Sequence, residues 1–466
     1  MAREQREKVH FIGVGGVGMS GIALVAHDQG MQVSGSDLRS SRYTKQLEEA
    51  GVPVFIGQDA RNIARIAPDI VVVSTAILDN NPELMAAKEA QIPIWHRAKM
   101  LAALGRGKRT LAVAGTHGKT TTSSMVASVL HAIGADPTFL IGGTVRAFGT
   151  NAHSGAGAYY VVEADESDKS FTYLDPYAIL VTNVEADHLD HYSGLAEIRA
   201  KFAEFMGSIP ADGILVIEGD DPTLVDLARS TNRRILTYGE SQTCDARVTS
   251  WRPDGVGSVF ELSLPDGQVI DARVKQNPGF HNVLDASGCL LLMWAIGEDI
   301  HAAAEALADF AGVRRRFDLV GKAAGVTIVD DYAHHPTEIA ATIAAAKGLA
   351  FNRVHVVFQP HRYSRIKLFA DVLRDDFAHA FDEADTVTFA NVYPAGEIPV
   401  PGVSGKTFMD VLLDSENHPP LEYVERPLDI VPALQRKITP GDLVITMGAG
   451  DVTNFGPQLL AALQNG

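Results

Sequence analysis

Short apolar runs alternate along this chain with stretches whose apolar residues recur at helical spacing, and the rhythm begins at residue 8. Lys8–Ile12 reads as a strand, Val17–Gln29 as a helix stopped by Gly30, Met31–Ser34 as a strand and Asp69–Ser74 as a buried strand. Helical patterns follow over Pro82–Ala90 and Arg97–Leu104. Such alternation predicts a parallel sheet covered on both faces, because each crossover lays a helix on the sheet. Further strands are predicted at Thr110–Ala114, Tyr159–Val162, Ala178–Thr182 and Gly213–Ile217, with helices from Thr121 and over Leu195–Met206. Between Val248 and Val274 the pattern shortens to antiparallel strands around the Pro265-Asp266-Gly267 turn. Helices at Asn282–Trp294 and Ile300–Phe310 come next. The β/α rhythm then returns with Val326–Val329, Pro336–Lys347, Arg353–Phe358, Thr386–Phe389 and Asp442–Thr446, and a last helix at Pro457–Leu463.

The pattern therefore predicts an α/β protein, and 466 residues suggest about three domains. The polar, glycine-bearing stretch Gly105–Arg109 marks a first boundary, and the division expected is 1–107, 108–312 and 313–466. With 46% hydrophobic and 21% charged residues the composition is that of an ordinary globular protein. A formal charge of −17 opposes a nucleic-acid or anionic-membrane partner. Against that background the run Arg314-Arg315-Arg316 stands out. Two distant cysteines, Cys244 and Cys289, give neither a disulfide framework nor a metal-binding pair, which fits a reducing compartment. No apolar run reaches the ~20 residues that a membrane span needs, so a cytoplasmic location is expected.

Candidate chemistry concentrates where predicted strands end. Gly13-Val14-Gly15-Gly16-Val17-Gly18 joins a strand to a helix, and Asp37 follows about 20 residues on, which matches a diphosphate-binding fingerprint. A nicotinamide cofactor and a nucleotide sugar both satisfy it. Gly115-Thr116-His117-Gly118-Lys119-Thr120 is a short-spaced phosphate loop. Its backbone N–H groups and the following helix N-terminus favour phosphates, Lys119 reaches the outer phosphates and Thr120 a Mg²⁺ ion. Glu163-Ala164-Asp165-Glu166 ends another strand, where a carboxylate can hold a nucleotide-bound metal. Asp187-His188-Leu189-Asp190-His191 permits a zinc or hydrolytic metal reading, with positions 187 and 191 on one helix face. One His as an extra ligand to a nucleotide Mg²⁺ or Mn²⁺ is the more economical reading, with His191 at the surface. Gly279–Asn282, Asp330–Pro336 and Gln359–Arg365 add three polar clusters at element junctions, a pattern that favours a convergent anion site.

Taken in order, these motifs, with Arg315-Arg316-Phe317-Asp318 and Gly448-Ala449-Gly450, resemble the Mur ligase family over nearly the whole chain. The resemblance implies a Rossmann-like UDP-sugar-binding domain, a central P-loop ATPase-like domain and a Rossmann-like C-terminal domain binding ATP and an amino acid. It also implies ATP-dependent joining of L-alanine to the lactyl carboxylate of UDP-N-acetylmuramate through an acyl phosphate, in peptidoglycan synthesis. Gly13, Gly15, Gly16, Gly18, Asp37, Ser74 and Thr75 would serve the UDP-sugar. Gly115, Thr116, His117, Gly118, Lys119, Thr120 and Thr121, with His281, Asn282, Arg316 and Asp331, would serve ATP. Thr120, Glu163 and His188 would hold Mg²⁺, or Mn²⁺ in its place. Tyr332, His361, Arg362 and Arg365 would shape the amino-acid end, and Lys119, His188 and His361 carry the catalytic expectation. A monomer or weak homodimer, without nucleic acid or membrane insertion, is expected.

The chain departs from the family at Asn391-Val392-Tyr393, where Asp is common, and offers Lys201 as the nearest match to a carbamylated lysine. Three other readings stand beside this one, of which a P-loop switch or nucleotide sensor without ligase activity would leave the His and Arg clusters of the third segment idle. A recycling ligase attaching a tripeptide to the same sugar nucleotide shares the phosphate-loop and His-His-Pro motifs, but differs across Gln359–Arg365. A nicotinamide-dependent oxidoreductase would leave Lys119 and Thr120 without a task.

Overall fold

The computed structural model describes residues 7–187, 191–415 and 417–465. The chain divides into two compact units: one holds residues 1–247, 264–268 and 287–306, the other 248–263, 269–286 and 307–466.

The first unit contains a five-stranded sheet in the order Val54–Ile56, Gln32–Asp37, Lys8–Ile12, Ile70–Val73, Ile94–His96. Every neighbouring pair is parallel. The connections are helical, so both faces are covered, and the inner strands Lys8–Ile12 and Ile70–Val73 read as largely apolar runs. The strand Gln32–Asp37 runs three residues beyond the predicted end, because Ser36 registers against Ile12 and Asp37 against Ile56. That extension carries Asp37 to the same sheet edge as the glycine loop. A second sheet of this unit runs Arg234–Gly239, Ile214–Glu218, Ala178–Val181, Arg109–Ala114, Tyr159–Glu163, Thr138–Val145, Thr150–His153. It is parallel except for the final hairpin. One apolar cluster joins Val25, Met100, Ala112, Val162 and Phe202 beneath both sheets.

The second unit is built on a six-stranded sheet in the order Asp318–Ala323, Val326–Asp331, Leu443–Met447, Val354–Phe358, Thr386–Ala390, Leu421–Val424. Its first pair is antiparallel and the rest are parallel. Phe358, Phe377, Phe381, Phe389 and Phe408 pack edge to face or stacked on one side, with ring centroids 3.9–6.3 Å apart. The predicted hairpin is present as Gly257–Ser263 paired antiparallel with Val269–Val274.

Among the described residues, no helix is long and apolar enough to cross a membrane.

Candidate functional site

The strand Arg109–Ala114 is fully buried at Leu111–Ala114, and its central position between Tyr159–Glu163 and Ala178–Val181 fixes where the phosphate loop emerges. Gly115 turns the chain with φ +141°, and a Cβ there would lie 2.0 Å from Thr182 Oγ1. The neighbouring strand end then braces the loop. Asn183 O accepts from Thr116 N at 3.1 Å, Asn183 Oδ1 from His117 N at 2.9 Å, and the Thr182 hydroxyl donates to His117 O at 2.5 Å. Gly118, with φ +81°, caps the helix Lys119–Ala132, which starts two residues earlier than predicted.

Lys119 points back over the loop. Its Nζ donates to Gly115 O at 2.6 Å, Thr116 O at 2.9 Å and Glu166 Oε1 at 2.8 Å. All three ammonium hydrogens are thereby engaged. Burial opposes the charge, but Glu166, Glu163 and Asp165 outweigh it and hold the Lys119 pKa above its ordinary value. The Thr120 hydroxyl donates to Glu163 Oε1 at 2.8 Å, and Glu163 Oε2 accepts from Gly142 N at 2.6 Å. A hydroxyl and a carboxylate side by side make the oxygen-donor set that a hard divalent cation prefers. The residues present therefore fit Mg²⁺.

The acidic run has a partner that sequence spacing did not reveal. Arg97, at the start of the helix Arg97–Leu104, donates to Asp165 Oδ2 at 2.8 Å and Asp168 Oδ2 at 3.2 Å. Burial raises the Asp165 pKa, but Ser167, Arg97 and Lys119 reverse this and hold it at about 2. A Cβ on Gly18 would lie 3.7 Å from Arg97, so this arginine also flanks the glycine loop. In that loop Asp37 Oδ2 accepts from Gly15 N at 2.9 Å, and a Cβ on Gly15 would come within 2.8 Å of the same oxygen. Only glycine admits that approach. Gly13, Gly16 and Gly18 complete the turn from strand to helix, Ser74 follows the strand Ile70–Val73 half-buried, and Thr75 is exposed.

In the second unit the Asp330–Pro336 and Gln359–Arg365 clusters lie at strand ends, whereas His281 and Asn282 lie in the first turn of the helix Phe280–Ile296. Asp331 closes the strand Val326–Asp331 and accepts from Phe317 N at 2.7 Å and Ala333 N at 2.8 Å. Burial pushes its pKa up to about 6 against the pull of Arg316 and these two N–H groups. Arg316 lies 3.6 Å from Glu338 and over the Tyr332 ring at 5.3 Å. His361 stacks on Tyr393 with centroids 5.7 Å apart, and its Nδ1 is buried without a hydrogen-bond partner among the described residues. Burial first, then Arg362 and Arg365, push its pKa down to about 4, so the ring is neutral near pH 7. Arg362 has a left-handed backbone, φ +63°, held by its N–H to Tyr393 O at 2.9 Å. Asn282 donates to Pro278 O at 2.8 Å and faces His281 Nε2 at the same distance.

Not every expectation is met. His188 and Asp190 lie outside the described residues. Asp187 and His191 are not helical, and the next helix is Leu195–Gly207, so the shared helix face is a misreading: Gly194 starts the helix later. Lys201 pairs with Glu204 at 2.6 Å on the surface of that helix. Asn391 accepts from its neighbour Val392 N at 2.8 Å. The residues that sequence reasoning missed are Glu166 as the partner of Lys119, Arg97, Thr182 and Asn183. Glu166 was visible as part of the acidic run. Arg97 gave no local signal, being 68 residues from Asp165 in the chain.

Comparison with known proteins adds the remaining context. Three family models match in order: the Mur ligase family catalytic domain over residues 8–109, the Mur ligase middle domain over 113–293, and the Mur ligase glutamate ligase domain over 315–450. The chain is 44% identical over 459 residues to the UDP-N-acetylmuramate–L-alanine ligase of Geobacter sp. (strain M21), covering 98% of each. It is 44% identical over 468 residues to the ligase of that name from Thermobifida fusca (strain YX), covering 98% of this chain and 96% of the relative. Among solved structures, the UDP-N-acetylmuramate-alanine ligase of Thermotoga maritima superposes with a TM-score of 0.80 at 30% identity, covering 98% of this chain and 99% of that one. A murein peptide ligase from Psychrobacter arcticus 273-4 gives a TM-score of 0.70 at 26% identity, with 98% of each chain covered. With a phosphate loop and acidic partner set of this geometry, and relatives matched from end to end, the chain belongs to the Mur ligase family.

Proposed function

We propose that this chain is an ATP-dependent carboxylate–amine ligase that joins L-alanine to the lactyl carboxylate of UDP-N-acetylmuramate in peptidoglycan synthesis, working in the cytoplasm. The observation that carries this reading is end-to-end identity of 42–44% with curated relatives bearing the L-alanine ligase name. The tripeptide-attaching alternative is not favoured, since the murein peptide ligase is more distant at 26% identity. The oxidoreductase alternative leaves the Lys119–Thr120–Glu163 constellation unexplained.

In this reading Gly13, Gly15, Gly16 and Gly18 receive the UDP diphosphate, with Asp37, Ser74 and Thr75 towards the nucleoside or sugar. Gly115–Thr121 cradle the ATP phosphates, and Lys119 exchanges Glu166 for a phosphate oxygen. Thr120 and Glu163, with His188, would hold Mg²⁺, which supplies charge neutralisation between two approaching anions. The lactyl carboxylate takes the terminal phosphoryl group of ATP, and the amine of L-alanine displaces phosphate from the acyl phosphate to leave an amide. In the second unit His281, Asn282, Arg316 and Asp331 serve ATP, while Tyr332, Arg362 and Arg365 orient the alanine. An arginine fork fits a carboxylate in a way that lysine does not. His361, neutral near pH 7, is a candidate to take the proton that the attacking amine releases, and as a base it gains strength only when bound anions offset Arg362 and Arg365. Alignment of three substrates contributes most, because effective molarities of well-oriented groups are very high.

The test is phosphate release from ATP across a matrix of UDP-sugars and amino acids. Release is expected with UDP-N-acetylmuramate plus L-alanine, and more weakly with Gly or Ser. Release without the sugar nucleotide, release that requires a tripeptide, or NADH oxidation instead would refute the assignment.

A further inference from the structure

Of the three consecutive arginines, Arg316 has a part in the proposed reaction and Arg315 has none, yet Arg315 makes a dense set of contacts. Its Nε donates to Asp330 Oδ2 at 3.1 Å, and its terminal NH2 group donates to Gly448 O at 2.6 Å and Gly450 O at 3.2 Å. Its guanidinium carbon lies 5.0 Å from the centroid of the Tyr332 ring. The backbone of the same residue is tied as tightly. Arg315 N donates to Asp318 Oδ2 at 3.1 Å, and Arg315 O accepts from Tyr332 N at 2.7 Å.

The backbone itself is unusual here. Arg315 and Phe317 both have left-handed conformations, φ +63° and +46°, on either side of Arg316. Neither is glycine, so the turn is strained and persists only where its surroundings over-determine it. The carboxylates at the end of the strand Val326–Asp331 supply that determination. Asp331 fixes Phe317 N, and Asp330 receives Arg315 together with Thr446 Oγ1 at 2.7 Å and Thr453 Oγ1 at 2.8 Å. The carbonyls of Gly448 and Gly450 belong to the loop after the strand Leu443–Met447, which pairs with both Val326–Asp331 and Val354–Phe358. Gln359, at the end of the latter strand, touches that loop too: its Oε1 accepts from Val452 N at 2.9 Å. One guanidinium therefore joins the turn that presents Arg316, the strand end that presents Asp331 and Tyr332, and the Gly448–Gly450 loop.

We infer that Arg315 is a positioning residue, which locks the strained turn bearing Arg316 to the Gly448–Gly450 loop and Tyr332, so that the nucleotide-facing and alanine-facing groups of this unit are set by one clamp. The inference rests on the ligase reading for the tasks of Arg316, Asp331 and Tyr332. A lysine here does not reproduce the clamp: Nε meets Asp330 while a terminal NH2 group meets both carbonyls, two separate nitrogens of one rigid plane, whereas the three donors of an ammonium radiate from a single atom.

The experiment uses the full-length chain with Arg315→Lys and Arg315→Ala. Steady-state KM is measured separately for ATP, L-alanine and UDP-N-acetylmuramate, ADP binding is measured by calorimetry without the other substrates, and thermal unfolding is followed in parallel. Misplacement of reacting groups by about 1 Å can cost ~100-fold in rate, so R315K is expected to lose at least ~10-fold in kcat/KM for both ATP and L-alanine. The KM for UDP-N-acetylmuramate should stay unchanged, ADP binding should weaken, and guanidinium added to R315A should restore part of the activity where methylammonium does not. Unaltered ATP and alanine kinetics in R315K would overturn the inference. So would a loss shared equally by all three substrates and tracking a lowered unfolding temperature, which marks a purely structural role. If the unsubstituted chain releases no phosphate with its three substrates, the ligase reading fails by itself, and weakened ADP binding in R315K still decides whether the clamp positions a nucleotide site.

Discussion

Replacing Lys119 with Met separates what this lysine does for the fold from what it does for the reaction. The Lys119 side chain is 14% exposed and that of Glu166 is 4% exposed, and they meet at 2.8 Å. Removing one member of a buried ion pair leaves the other uncompensated, which typically costs ~3–5 kcal/mol. Two carbonyls, Gly115 O and Thr116 O, also lose their ammonium donor. Against a total stability of about 5–15 kcal/mol, K119M should show a marked fall in denaturant midpoint. A second change, Glu166→Gln, removes the stranded charge, and the double variant should regain most of the lost stability. It should not regain phosphate release, because neither of the two introduced side chains carries a positive charge to offset that of the phosphates. Equilibrium unfolding between pH 5 and 8, paired with the phosphate-release assay, measures both. A K119M variant as stable as wild type would refute the buried pair, and turnover recovered in the double variant would refute the phosphate role of Lys119.

Two other changes report on different parts of the molecule. Thr120→Val removes the hydroxyl bonded to Glu163 while keeping the side chain's shape. It should cost only about 1 kcal/mol of stability but raise the Mg²⁺ concentration for half-maximal turnover by ~10-fold or more, and an unshifted Mg²⁺ titration would remove Thr120 from the metal site. Asp442, fully buried, accepts from Arg353, His355 and Thr439, which overcome burial and hold its pKa at about 2. A depressed carboxylate stabilises the fold above its unfolded pKa, so roughly 2 kcal/mol should be lost as pH falls from about 4 towards 2. Asp442→Asn should accordingly be less stable than wild type at pH 7, with the gap closing in acid; a constant gap would contradict the assignment.

The α/β class, most of the central strands and the phosphate loop are legible in the amino-acid order alone. They are written in short-range patterns: apolar runs for buried parallel strands, glycines where the chain must turn sharply, and Lys119-Thr120 at the helix start. Elements such as Val54–Ile56 and Asp318–Ala323 were not legible, because they are short or partly polar edge strands, and what makes them strands is pairing with a neighbour rather than an apolar pattern of their own. The same cause hid half of the site. That Glu163 would meet Thr120 could be anticipated from two strand ends in one sheet, whereas Glu166 on Lys119, Arg97 on Asp165 and Arg315 on the Gly448 and Gly450 carbonyls are pairings across 47, 68 and more than 130 residues. Hydrophobic periodicity records which face of an element is buried and carries no information about which distant charge will lie opposite. That choice is made in three dimensions, because strand order and register bring those ends together and burial then makes each unpaired charge too costly to leave alone.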